Sequence, residues 1–146
     1  MVKDAFAYFD GQRGHLTTVA DDGAVREIMT TLASPTQGGA GHSVWRVDMR
    51  PGQAGPLHAI DTEQVWTVLD GGATIELDGQ AHTVGPGDTL VMPADAPRRV
   101  GADPTAGFGA IVVAPPGTRA YTLDGTRVSP TCAVPDGDKL VPAWVV

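Results

Sequence analysis

Short runs of β-branched and apolar residues recur about every eight to twelve positions along this chain, each closed by a turn signal. No other feature constrains the fold as strongly. The runs include HLTTVA (15–20), VREIMTTL (25–32), SVWRVDM (43–49), QVWTVLD (64–70), ATIELD (73–78), 82–84, 88–93, 97–100, FGAIVV (108–113) and 139–146. Between them lie DDG (21–23), PTQGGAG (35–41), PG (51–52), DGG (70–72), DG (78–79) and PGD (86–88). Runs this short are suited to strands rather than helices, and Gly, Pro, Asn and Asp supply the backbone angles that tight turns need. The nineteen glycines and twelve prolines are scattered through the chain and serve as turns, not as a low-complexity tract. The pattern predicts an all-β sandwich or barrel in one domain spanning 1–146.

Alternation assigns faces. Ala73, Ile75 and Leu77 fall on one side of their strand, with Thr74, Glu76 and Asp78 on the other. Gln64, Trp66 and Val68 share a face, as do Trp45, Val47 and Met49. Residues 23–33 could compete as a helix, but Thr30 and Thr31 favour a strand. The glycine-rich stretch 33–41 is expected to be a mobile loop, a candidate flap.

Charge narrows the partners. Seventeen acidic residues against ten basic ones leave a net charge of −7, which disfavours nucleic acid and anionic membranes. The start, MVKDAFAYFD, lacks the apolar core of a signal peptide, and no apolar run reaches bilayer length. The single cysteine, Cys132, has no internal partner and is read as a bystander thiol, and the expected location is the cytoplasm.

Residues 52–71 and 87–102 carry paired motifs. Gly52 is followed by five residues and His58, then Ile60, then Gln64, then Gly71 six residues further on. Gly87 is followed by five residues and Pro93, then Asp95, Arg98 and Ala102, and fifteen residues separate Gly71 from Gly87. This framework resembles the two motifs of the cupin family, G-x5-H-x-H-x3–4-E-x6-G and G-x5-P-x-G-x2-H-x3-N. The resemblance is local to about 50–102 and implies a jelly-roll β-barrel of two facing antiparallel sheets. In that family the two His, the Glu and the second-motif His converge inside the barrel on a divalent cation. Here those four positions hold His58, Ile60, Gln64 and Arg98. Isoleucine has no lone pair, and arginine is a permanent cation that repels a metal. The expectation is therefore no metal and no other cofactor. If a metal site survives, His58 and Gln64 are its ligands. His82 is read as a packing or surface residue, and His15 and His42 have no ligand spacing.

The resemblance places His58, Gln64 and Arg98 as the catalytic candidates. Trp66, Trp45, Ile60, Met49 and Val68 would line a pocket for a small organic ligand. Arg98 is either a fork for a ligand oxyanion, or is paired with Asp61, Asp95 or another acid, or turns out at the rim beside Arg99. His58 is either a general base or acid, or a barrel-mouth histidine bonded to Gln64 or to water. Gln64 either orients a carbonyl or holds His58, and the two tryptophans are either pocket walls or core. Asp61 and Glu63 read as loop residues, with Glu63 a secondary acid.

Metal-free cupins include epimerases and isomerases that move protons. The leading expectation is accordingly a metal-independent isomerase, cyclase or lyase acting on a carbonyl-bearing or aromatic metabolite. A non-catalytic binding module and a metal enzyme with a reduced ligand set are the alternatives. Exposed sheet edges and the apolar tail LVPAWVV (140–146) point to a homodimer.

Overall fold

A computed structural model describes residues 15–19, 25–123, 133–136 and 139–146. Cys132, the chain start and the turn at 21–23 lie outside the described residues. Two antiparallel sheets face each other. The six-stranded sheet runs, in spatial order, β1 (His15–Val19), β2 (Val25–Ala33), β3 (Ser43–Met49), β10 (Phe108–Ala114), β5 (Gln64–Gly71) and β8 (Thr89–Met92). The seven-stranded sheet runs β12 (Ala133–Asp136), β13 (Lys139–Pro142), β11 (Ala120–Thr122), β4 (His58–Ile60), β9 (Arg98–Ala102), β6 (Ala73–Leu77) and β7 (Gln80–Val84). From β3 to β11 the chain changes sheet at every step but β6 to β7, which is the jelly-roll arrangement expected from the sequence. No helix among the described residues is long and apolar enough to cross a membrane.

The core forms where the predicted faces meet. Trp45, Val47 and Met49 point inward from β3, with their neighbours Val44, Arg46 and Asp48 half-buried. Gln64, Trp66 and Val68 do the same from β5, and Ala73 and Ile75 from β6. The rings of Trp66 and Phe108 stack with centroids 6.3 Å apart and planes 12° apart. That pair adds a geometric preference to the burial of both rings.

All three motif glycines that begin or end the paired motifs sit at positive φ: Gly52 at 75°, Gly71 at 65° and Gly87 at 87°. An L side chain rarely adopts these angles, so the motif glycines are first of all turn formers. At Gly71 there is also no room, because a Cβ would lie 2.1 Å from the carbonyl oxygen of Gly107.

Several expectations are corrected. The terminal run is strand only as far as Pro142. It then turns as a 3-10 helix over Ala143–Val145. Trp144 and Val145 pack into the chain's own core, and Thr31 Oγ1 and Ser43 Oγ donate to the carbonyls of Trp144 and Val145. The tail thus completes its own barrel and is not held out for a neighbour. The stretch 33–41 is anchored rather than free: Ser34 Oγ and Thr36 Oγ1 both donate to Val146 O at 2.6 Å. The strands β4, β11 and β12 fall outside the sequence-read runs. Each is three or four residues long, too short to show a period.

Candidate functional site

β4 is the shortest kind of strand, but its register places the site. His58 pairs with Arg98 on β9 and with Thr122 on β11, and Arg98 in turn pairs with Leu77 on β6. Leu77, Arg98, His58 and Thr122 therefore form one cross-strand row of the seven-stranded sheet. Gln64 and Trp66 face this row from β5.

His58 is half-buried, and its Nδ1 lies 2.8 Å from the carbonyl oxygen of Pro56. A carbonyl only accepts, so Nδ1 carries the proton and Nε2 keeps its lone pair. Burial lowers the His58 pKa below its ordinary value. The Pro56 bond raises it, and the positive charge of Arg98 lowers it again. The net result is a neutral imidazole whose Nε2 can accept a proton or a hydrogen bond.

Arg98 has no accessible surface. Its Nη2 donates to Pro93 O at 2.8 Å, its Nε to Ala96 O at 3.2 Å and its Nη1 to Gln64 Oε1 at 3.1 Å. Neither Asp61 nor Asp95 bonds to it. Asp61 is bound instead by the backbone N–H and Nε of Arg119, at 2.7 and 2.9 Å, with Lys139 at 3.6 Å. Among the described residues no carboxylate forms an ion pair with Arg98. Among the described residues its hydrogen bonds go to three carbonyl oxygens, one for each guanidinium nitrogen, which reduces the cost of burying the charge. Burial pushes its pKa down to about 10, against raising effects from Tyr121 and Asp95, so it remains a cation at neutral pH.

Gln64 Oε1 also accepts from Trp66 Nε1 at 3.0 Å. Two N–H donors on one atom set the amide orientation and occupy both lone pairs of the oxygen. Gln64 therefore holds Arg98 and Trp66, not His58. Ile60 is buried, and its backbone carbonyl accepts from the N–H of Asp95 at 2.7 Å. Trp45, Met49, Trp66 and Val68 all belong to a single buried apolar cluster. His82 is exposed on β7, His42 is exposed in a loop, and Glu63 is exposed.

Sequence reasoning missed two residues. Glu27 follows the β2 alternation that buries Met29 and Thr31, and its carboxylate lies against Gly55, where a Cβ would be 2.8 Å from Oε1. The alternation in VREIMTTL contains that signal. Tyr121 on β11 donates through its hydroxyl to Asp95 Oδ1 at 2.8 Å, and no local pattern announces it.

A family profile described as a cupin domain matches residues 45–114. These residues form a cupin domain. Solved structures share the fold at low identity. The polyketide cyclase RemF from Streptomyces resistomycificus is 19% identical, with a TM-score of 0.64 over 82% of this chain and 88% of that one. A cupin-2 domain, Rru_A2000 from Rhodospirillum rubrum, is 16% identical, with a TM-score of 0.67 over 83% and 85%. The DMSP lyase DddQ from Ruegeria pomeroyi is 19% identical, with a TM-score of 0.65 over 86% of this chain and 66% of that one. No curated protein matches the sequence.

Cupins imply a metal, and the donors present here do not fit one. Gln64 Oε1 is already engaged by two N–H groups, and position 60 offers only a hydrocarbon side chain. Position 98 places a cation within the site. Among the described residues no three His, Cys, Asp or Glu side chains converge as a metal ion needs.

Proposed function

We propose that this cupin is a metal-independent proton-transfer enzyme, an isomerase, cyclase or lyase acting on a small carbonyl-bearing or aromatic metabolite. One observation carries the reading: among the described residues, a neutral histidine whose Nε2 has no hydrogen-bond partner stands beside a buried cation with no carboxylate partner. His58 takes a proton from the substrate carbon at Nε2, while Nδ1–H stays on Pro56 O and fixes the ring. Negative charge then builds on the substrate oxygen. Arg98 stabilises it through its field rather than by contact, because the guanidinium has no accessible surface. The same charge opposes protonation of His58, which keeps it a base near neutral pH. The fold relatives that are a cyclase and a lyase by name support the cupin frame as a host for such chemistry. The choice of reaction rests on the site.

A binding module is the second reading, favoured by the engagement of Gln64 and Arg98 with the protein itself. The test is to identify co-purifying metabolites by mass spectrometry and then compare His58→Ala with the parent protein. Turnover lost with ligand binding kept supports the enzyme. Ligand bound and returned unchanged by the parent protein supports the module.

A further inference from the structure

We infer that Asp95 is a positioning residue for Arg98, and that these two departures from the cupin motif form one device. Residues 93–96 make a β-turn in which Ala96 N–H reaches Pro93 O at 3.4 Å, and Asp95, the third residue, has φ +63°. A positive angle at this place after a negative one defines a type II turn, which ordinarily takes glycine. Glycine is also what the motif carries there. Asp95 keeps the glycine conformation and adds a carboxylate.

That carboxylate has a use. Its Oδ1 accepts from Tyr121 on β11 at 2.8 Å, while the Asp95 N–H donates to Ile60 O on β4 at 2.7 Å. The turn is therefore pinned to two neighbouring strands through a single residue. The carbonyls on either side of Asp95, those of Pro93 and Ala96, are the two backbone acceptors of Arg98. Gln64 on the opposite sheet supplies the third acceptor. A buried guanidinium without a carboxylate partner needs its acceptors held in place, because a displaced carbonyl strands a donor. A glycine at 95 would give the same turn without the tether to Tyr121. The negative charge of Asp95 and the Tyr121 oxygen also favour the charged form of Arg98.

The proposed function enters only in giving Arg98 a task. The test uses no substrate, so failure of one idea leaves the other standing. Hydrogen exchange of the Arg98 Nε–H, followed by nitrogen-15 NMR and assigned by its loss in Arg98→Lys, reports on the cradle directly. Asp95→Gly keeps the positive φ but loses the tether, and Tyr121→Phe loses the tether alone. Each is expected to speed exchange by about tenfold, the effect of one lost hydrogen bond. Asp95→Asn tolerates the same φ and still offers an acceptor, and is expected to restore slow exchange. Melting curves on each variant confirm that it is folded. Unchanged exchange in folded Asp95→Gly and Tyr121→Phe overturns the inference, as does Asp95→Asn behaving like Asp95→Gly.

Discussion

His58 and Arg98 stand opposite each other in the β4–β9 ladder, a histidine and a permanent cation sharing one rung. Burial is the larger cause of the low His58 pKa, and Arg98 adds to it. The folded value thus lies below the unfolded one, near 6.5. Above 6.5 both states are neutral at His58 and the group costs nothing. As pH falls below that value the unfolded chain binds the proton first, and stability is lost until the folded pKa is passed. Urea titrations of the parent and His58→Gln between pH 5 and 7 are expected to diverge on the acid side. The divergence is bounded by about 1.4 kcal/mol per pH unit for one proton. Parallel curves would contradict it. Arg98→Met, followed by NMR of the His58 ring, returns only part of the shift.

Arg98→Met removes the donor from three carbonyls at once. Stranded acceptors cost about 1–3 kcal/mol each, partly offset because a desolvated charge is also removed. The net loss is expected at about 2–4 kcal/mol, or roughly 2–4 °C of melting temperature per kcal/mol for a chain of this size. Arg98→Lys keeps the charge but not the planar fork, and falls in between. Calorimetry that ranks Lys no better than Met would mean that packing, not hydrogen bonding, sets the cost.

Metal handling gives the third prediction. Chelator leaves the melting temperature of the parent protein unchanged. The triple variant Ile60→His, Gln64→Glu and Arg98→His gains divalent metal on a glycine framework that is already in place. A bound ion at a hundredfold excess over its dissociation constant adds about 2.7 kcal/mol, which a melt resolves easily. Stoichiometric zinc, manganese, iron or nickel in the parent protein, lost in His58→Ala, would reverse the reading of the site.

Gly71 and Gly79 share a positive φ, at 65° and 80°, but not their surroundings. A Cβ at Gly71 meets the Gly107 carbonyl oxygen at 2.1 Å, whereas nothing lies within 4 Å of one at Gly79. Gly79→Ala is expected to cost about 1–2 kcal/mol, the price of the angle alone. Gly71→Ala must also move backbone, and is expected to exceed about 3 kcal/mol in urea unfolding. Equal costs would show that the β5–β6 turn can yield.

With the tail accounted for, the expectation of a homodimer rests on the sheet edges alone. Among the described residues β8 is the outer strand of its sheet, bonded only to β5, and its Val91 is 55% exposed. We propose that two chains meet along this edge. Light scattering is expected to give twice the monomer mass at micromolar concentration, falling to one in Val91→Lys. A monomer mass in the parent protein ends the proposal.

What this sequence determined by itself is whatever depends on near neighbours. Alternation placed Trp45, Val47, Met49, Gln64, Trp66, Val68, Ala73 and Ile75 on inner faces, because successive strand residues point to opposite sides. The motif glycines announced turns because only their backbone adopts those angles freely. The residues at positions 60, 64 and 98, where the family's motifs carry metal ligands, were legible as chemistry at known spacing. The three-residue strand β4 was not legible, because its register comes from β9 and β11. Nor were the acceptors of Arg98. The sequence offered acids as partners, while the fold supplied the Pro93 and Ala96 carbonyls and an amide 34 residues away in the chain. The glycine-like angle at Asp95, its bond to Tyr121 and the docking of Trp144 likewise belong to the tertiary structure alone. A buried charge takes the acceptors that packing brings to it, and packing between distant strands leaves no period in the local sequence.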